Sequence, residues 1–343
     1  MSPESVGICV IGAGRAGRIH MRNFAWSLPR ARLVAVVDPV EEAAADAART
    51  FGVPNHYLGF EPALEDPAVD AVVVVAPTVH HHRIVVAAAR AGKHVLCEKP
   101  MAMNVPQCQE MIRAAEESQV KLQIGFMRRH DAEFMAAKEE IEAGRIGEVV
   151  LVKSLTHGPS IPQPWQYDIA ASNGPLAEVN SHDIDTLRWF TGSEFKEVYA
   201  LAGNFRCPQA REEFPDFYDN VVMTASFENG MQGFIDGAVS VGYGYDARAE
   251  VLGTEGVLQV GHLNRNSVSS CGLKGRVSAA AVKSWRNLFT EAYAKEDEDF
   301  IRSILEDRPP KVTGNDGLMA VKVVNAGNRS ILERRPVSLD ESL

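Results

Sequence analysis

VGICVIGAGRAG, residues 6–17, decides how the N-terminal part of the chain is read. Six apolar or small residues run into Gly12-Ala13-Gly14-Arg15-Ala16-Gly17, and helix-like sequence continues to about Trp26. A strand before and a helix after is the context in which GxGxxG binds a dinucleotide. Gly12 permits the tight turn, Gly14 lets the backbone approach a pyrophosphate, and Gly17 allows the helix to pack closely on the strand. The first helical N–H groups, around Arg15 and Ala16, are left for phosphate.

A glycine-rich turn can also be purely structural, and the next strand argues against that here. Residues 32–37 form an apolar run ending at Asp38, about twenty residues past the last glycine. A carboxylate there accepts hydrogen bonds from both hydroxyls of the adenosine ribose and repels a 2′-phosphate. Pro39, Val40, Glu41 and Glu42 follow, with no Lys or Arg to neutralise such a phosphate. The expected cofactor is therefore NAD rather than NADP.

The alternation continues with a helix over 41–51, a strand over 71–76, a helix over 81–91, a strand over 94–97, a helix over 105–118 capped by Asn104, and a strand over 121–125. Continuous apolar strands separated by helices predict a doubly wound parallel sheet, with ligands at the carboxyl ends of its strands. Those ends are Gly12, Asp38, Ala76-Pro77-Thr78, Glu98-Lys99-Pro100 and Phe126, with Met127 next to the last. Successive helical residues point about 100° apart, so His80, His81 and His82 do not converge on one ion. His81 or the Thr78 hydroxyl is expected to touch the cofactor, with the other two histidines solvated. An ammonium at Lys99 can hydrogen-bond a substrate hydroxyl and stabilise the alkoxide formed as hydride leaves. No metal is expected.

At 343 residues the chain is long enough for two domains. Its net charge of -10 disfavours a nucleic-acid backbone or an anionic membrane as partner, and favours a small neutral ligand. Cys9, Cys97, Cys108, Cys207 and Cys271 are odd in number and widely spaced, which predicts no disulfide framework and a reducing cytoplasm. No signal peptide or membrane span is read from the sequence.

In the second half, GPLAEVNSHDIDTLRWFTG, residues 174–192, reads as one helix between Gly-Pro and a stopping glycine. Glu178, His182, Asp185 and Trp189 then form one stripe, in which a carboxylate lies a turn before an imidazole that it can orient. A helix face of polar groups satisfying one another has the same pattern. Around it, Arg128-Arg129-His130 follow the sixth strand, and a helix over 131–143 leads to a strand over 149–155. Residues 160–172 read as an irregular connection in which Trp165 closes over a ring face or anchors the loop. Strands over 197–203, 219–227, 230–240, 247–252 and 256–260 have the spacing of a meander. Tyr243 and Tyr245 sit at its mouth. Residues 267–280 are small and polar, and 291–306 reads as a helix with solvated acidic faces.

GAGRAG, VVDP, APTVHHH, AGKHVLCEKPMA, IGFMRRHDAEF with AGRIGE, and NSHDIDTLRWFTG together resemble the Gfo/Idh/MocA oxidoreductase family, in order along nearly the whole chain. FMRRHD, SHDIDTLRWF and GYGYDARAEVLGTEG are most similar to its inositol 2-dehydrogenase branch. The resemblance implies a Rossmann domain over 1–125 and an α/β domain over 126–343, whose large, mostly antiparallel sheet mediates oligomers, commonly tetramers. It places the family's EKP lysine on Lys99 and its signature histidine on His182, with Gly174 and Asp185 matching the signature's first glycine and last aspartate. Glu178 stands where an Asp is usual, and Asn180 where a Gly is usual. It further implies substrate contacts from Arg129 and His157, with Arg128 structural.

The expected activity is NAD-dependent oxidation of a secondary ring hydroxyl of a cyclitol such as myo-inositol. His182 would act as base, Lys99 would polarise the oxygen and Glu178 would orient His182, while Trp165 and Tyr243 line the substrate pocket. Oxidation of a monosaccharide or pyranoside hydroxyl is the rival within the fold, and a dinucleotide-binding regulator without turnover the rival outside it.

Overall fold

The computed structural model describes residues 5–342. In chain order the first elements are β1 (Val6–Ile11), α1 (Gly17–Arg22), β2 (Ala31–Val37), α2 (Glu41–Phe51), β3 (Asn55–Tyr57), α3 (Glu61–Glu65), β4 (Ala71–Val74), α4 (His81–Arg90), β5 (His94–Glu98), α5 (Val105–Glu117) and β6 (Leu122–Gly125). The strands pair in parallel in the order β3-β2-β1-β4-β5-β6. This is the doubly wound sheet expected from the apolar runs. Every residue of β1 and β4 is buried, as strands covered on both faces must be. Each buried Val or Ile there contributes about 1.5–3 kcal/mol through removal from water. The strand order reverses at β1 and β4, the point where such sheets take up ligands.

The chain continues with α6 (Ala132–Glu142), β7 (Val149–Gly158), α7 (Pro164–Tyr167), α8 (Ile169–Ser172), α9 (Gly174–Glu178), α10 (Ser181–Thr191), β8 (Phe195–Gly203), β9 (Asn220–Phe227), β10 (Gln232–Val239), β11 (Asp246–Gly253), β12 (Val257–Val260), β13 (Asn264–Cys271), β14 (Val277–Ala281) and α11 (Trp285–Leu288). Then come α12 (Thr290–Leu305), α13 (Gly314–Glu333) and β15 (Val337–Ser338). A seven-stranded sheet has the order β12-β11-β7-β10-β9-β8-β15. It is not the simple meander read from the turn signals. β7 inserts between β10 and β11, parallel to the first and antiparallel to the second. Turn residues report which strands follow one another, whereas pairing also depends on which edges remain for an earlier strand to fill. Residues 160–172, read as irregular, contain α7 and α8, and the small polar segment over 267–280 lies mostly in the hairpin β13–β14.

Two compact units result: residues up to His130 with Glu291–Val321, and Asp131–Thr290 with the residues from Lys322 on. This differs from a single cut after residue 125, and α12 supplies the reason. Only part of its acidic sequence is solvated as expected: Glu291 and Glu298 are exposed, but Glu296 and Asp297 are fully buried and Asp299 nearly so. Asp297 accepts hydrogen bonds from His20 and Asn23, and Phe300 and Ile301 join the core formed by Val6, Ile8, Met21 and Phe24. Composition alone cannot distinguish a solvated carboxylate from one with buried donors waiting for it.

In the second unit, residues 174–192 do not form one helix. A turn at Val179 and Asn180 separates α9 from α10. Asn180 is buried and donates through Nδ2 to Asp183 Oδ2 at 2.8 Å, while Asp183 Oδ1 accepts from Ser154 Oγ on β7 at 2.6 Å. Gly237 of β10 makes room for this break, since a Cβ there would lie 2.1 Å from Asn180 Oδ1.

Candidate active site

The first unit forms a nucleotide cradle at the ends of β1 and β2. Gly12 has φ +113°, and a Cβ on it would approach the Val75 carbonyl oxygen to 2.7 Å. A Cβ on Gly17 would meet the Gly12 oxygen at 1.8 Å. Around Gly14 nothing lies within 4 Å of the corresponding position, so the open side of the turn is free for phosphate. Arg15 is exposed there and Ala16 begins the helix. Asp38 closes the turn, its Oδ2 accepting from Ala13 N at 2.8 Å and its Oδ1 from Val40 N at 2.9 Å. A carboxylate offers about four lone-pair sites, so two remain for a vicinal diol. This cradle fits NAD: space at Gly14, helical N–H groups beyond it, and an acidic group at the ribose position.

At the ends of β4 and β5 the expectations change for His81 and for Glu98. His81 is buried, with Nε2 at 2.7 Å from the Ala76 oxygen and Nδ1 at 2.8 Å from the Pro100 oxygen. Burial outweighs these contacts and holds its pKa below the usual histidine value. With both nitrogens turned to backbone carbonyls, His81 is a strut between the two strand ends rather than a cofactor ligand. His82 pairs with Glu110 at 2.9 Å, and His80 is exposed. Thr78 is buried at the start of a short helical turn, while Pro77 is exposed beside it.

Glu98, expected at the cofactor, turns inward. Its Oε2 accepts from Lys99 N at 3.0 Å and its Oε1 lies 3.2 Å from His20 Nε2. Lys99 follows, half-buried at the carboxyl end of β5. The sequence reading passed over His20, whose one signal was a histidine between two apolar residues, Ile19 and Met21. Beyond β6, Met127 and Arg128 are buried, and Arg129 donates to Asp316 Oδ1 at 3.0 Å.

The second unit presents two clusters. In the first, Glu178 ends α9 and His182 lies, buried, in the first turn of α10, so the stripe read from the sequence is split across two helices. Asp185 is buried and Trp189 stacks on Phe190. Gln166 of α7, next to the half-buried Trp165, donates to Glu178 Oε2 at 3.4 Å. The start of α9 is anchored by Tyr218, whose hydroxyl accepts from Leu176 N and donates to Asn328 Oδ1 at 2.7 Å.

The second cluster joins His157 to Tyr243. Nδ1 of His157 hydrogen-bonds the Tyr243 hydroxyl, and its Nε2 is 3.1 Å from Asp236. Burial and the Asp246 charge push the Tyr243 hydroxyl up to about 12. Ser154 bonds to α10 and Gly237 packs against Asn180, so by strand alternation His157 and Asp236 belong to the other face of the sheet. Tyr245 is turned inward against Phe289, leaving Tyr243 as the exposed member of the pair.

Comparison with known proteins matches residues 6–126 to the model described as "Oxidoreductase family, NAD-binding Rossmann fold" and residues 138–339 to "Oxidoreductase family, C-terminal alpha/beta domain". The chain belongs to the Gfo/Idh/MocA oxidoreductase family. As a Gfo/Idh/MocA protein it is 32% identical over 337 residues to scyllo-inositol 2-dehydrogenase (NAD(+)) of Bacillus subtilis, covering 98% of this chain and 97% of that one. It is 33% identical to myo-inositol 2-dehydrogenase of Thermotoga maritima, covering 97% and 98%. The structure of scyllo-inositol dehydrogenase from Lactobacillus casei, with bound NAD(H) and scyllo-inositol, superposes with a TM-score of 0.89 at 25% identity, covering 98% and 99%. α12 lies inside the stretch matched by the C-terminal family model, although it packs in the first unit. No helix among the described residues is long and apolar enough to cross a membrane.

Proposed function

We propose that this Gfo/Idh/MocA protein oxidises a secondary ring hydroxyl of an inositol to the ketone, with NAD as acceptor. The observation that carries this reading is Lys99 at the carboxyl end of β5, in the row of strand ends shared with the Gly12 turn and Asp38. It stands on a chain similar over nearly its full length to inositol dehydrogenases. Bound NAD supplies the hydride acceptor.

The chain's own residues bind, orient and move the proton. The Gly12 turn and the N-terminus of α1 hold the pyrophosphate, and Asp38 holds the adenosine ribose. Ala76, Pro77, Thr78 and Met127 line the strand ends beyond. Lys99 donates to the reacting oxygen and stabilises its developing charge, and His182 takes the hydroxyl proton. Glu178 orients His182, and Gln166 limits where the Glu178 carboxylate can lie. Arg129 and Trp165 bind the remaining hydroxyls of the ring, whereas His157 and Tyr243, expected there too, belong to the sheet face opposite α10. Lys99→Ala and His182→Ala should each lower kcat by about 10²–10⁴-fold, with saturable NAD binding retained. Near-normal turnover in either would overturn the assignment. NAD reduction across inositol isomers, monosaccharides and glycosides tests the substrate: an inositol should give the highest kcat/KM, and a pyranoside in that place would refute it.

The same reading makes the protein a cytoplasmic homotetramer. Five free cysteines support a reducing compartment. One face of the seven-stranded sheet is covered by α9, α10 and α13, while the other carries Lys153, Tyr199, Leu201, Thr224 and Leu252, a surface suited to a second copy. Light scattering after size exclusion should give four times the chain mass; a monomer would refute this part alone.

A further inference from the structure

A buried polar cluster in the first unit has no part in the chemistry described so far. His20, on α1, lies with Nδ1 2.7 Å from Asp297 Oδ1 and Nε2 3.2 Å from Glu98 Oε1. Asn23 donates to the other Asp297 oxygen at 2.8 Å, and Tyr293 meets the imidazole edge-on at 5.5 Å between centroids. Glu296, one residue before Asp297, is fully buried with neither carboxyl oxygen hydrogen-bonded. Ligand atoms of His20, Glu98 and Glu296 lie within 4.8 Å of one another. The His20 and Glu98 atoms, however, already bond each other, and a cation would have to break that pair.

A ring with a carboxylate at each nitrogen can satisfy both only by carrying two protons. Burial alone would lower the pKa of His20, but the charges and hydrogen bonds of Asp297 and Glu98 hold it well above the usual value. Burial, reinforced by Glu98, raises the pKa of Glu296 well above the carboxylate range, so it stays neutral. One imidazolium thus sits against two carboxylates, and one of these reaches the catalytic lysine. Glu98 accepts from His20 through Oε1 and from the Lys99 amide through Oε2. Gly125 on β6 leaves room for this, since a Cβ there would lie 3.0 Å from Glu98 Cδ.

We propose that His20 is a positioning residue for Lys99: clamped between Asp297 and Glu98, it fixes the carboxylate that holds the Lys99 amide and so sets where the lysine side chain begins its reach. Misplacement of a reacting group by about 1 Å costs on the order of 10²-fold in rate, so this clamp matters to turnover without touching substrate. The inference rests on the reading of Lys99 as catalytic.

A double-mutant cycle tests it. His20→Gln keeps a donor for one carboxylate but not both, and should lower kcat on the order of 10²-fold with the KM for NAD within about twofold. In a Lys99→Ala background the same substitution should cost no more than about twofold, because its effect passes through the lysine. Wild-type kcat in His20→Gln, or an equal loss in both backgrounds, overturns the proposal while leaving the dehydrogenase reading intact. Near-normal kcat in Lys99→Ala alone removes that reading first, so the two failures are distinguishable. If circular dichroism shows His20→Gln unfolded, Glu98→Gln, which keeps an acceptor for the Lys99 amide, goes through the same cycle with the same criteria. Failure of both to fold would assign the cluster to stability and overturn the proposal too.

Discussion

Replacing Asp38 by alanine should convert an NAD-selective protein into one that binds both dinucleotides poorly. Asp38 Oδ2 and Oδ1 each hold one backbone amide, at 2.8 and 2.9 Å, and the remaining lone pairs are the acceptors for the adenosine ribose. Hydrogen bonds to a charged group are worth about 1.5–3 kcal/mol each. Asp38 is only half-buried, so water partly replaces what is lost, and the low end applies to each of two ribose bonds. Their sum is about 3 kcal/mol, or on the order of 10²-fold in KM for NAD. Because the ribose contact is the same in ground and transition states, kcat should stay within a few-fold. NADP should lose none of this and should gain from removal of the like charge and from the freed Ala13 amide, so the preference between the two should collapse by at least 10²-fold. Initial rates with each dinucleotide at saturating inositol measure both quantities. An NAD KM unchanged within twofold, or a loss confined to kcat, would refute the reasoning.

Three further outcomes follow from the packing. Gly237→Ala should destabilise by about 1–3 kcal/mol because its Cβ would press on Asn180 Oδ1, and Asn180→Gly in the same chain should restore most of that loss; additive denaturation midpoints would sink the idea. Gly17→Ala, whose Cβ would lie 1.8 Å from a backbone oxygen, should abolish NAD binding in a titration and lower the melting temperature, and full affinity would count against the cradle. Glu296 has a folded-state pKa raised above its ordinary 4.5, so its contribution to stability is complete below that value and is lost as pH rises toward the folded value. Glu296→Gln should therefore gain on wild type by about 1.4 kcal/mol per pH unit over that range, and urea melts showing a constant difference between pH 5 and pH 8 would refute it.

How much of this was legible in the sequence depends on how local the determining physics is. The parallel sheet, the Gly12 turn and Asp38 could be read directly, because a buried strand must be continuously apolar and a phosphate turn needs glycine at fixed spacing from its strand and helix. Lys99 and His182 could be named through resemblance, and the structure adds where they sit: one at a strand end held by Glu98, the other buried in the first turn of α10. Single residues whose neighbours lie far along the chain were misjudged. His81, read with the Thr78 hydroxyl as one of two candidates to touch the cofactor, is a strut, because the Pro100 carbonyl that faces its second nitrogen belongs to another strand end. Asp297 of α12 was read as solvated and is buried, because its donors, His20 on α1 and Asn23 just after it, lie far back along the chain. The helix over 174–192 is interrupted at Val179 and Asn180, where the Asn180 side chain donates to Asp183 and packs over Gly237 of the distant β10.

By itself, then, the sequence determined the doubly wound sheet and the dinucleotide chosen, both properties of spacing and side-chain identity within a few turns of chain. Tertiary structure alone decided the place of β7, the return of α12 to the first unit and the clamp behind Lys99. Each of these depends on which buried polar group finds a partner, and that partner lies at a sequence separation no local pattern records.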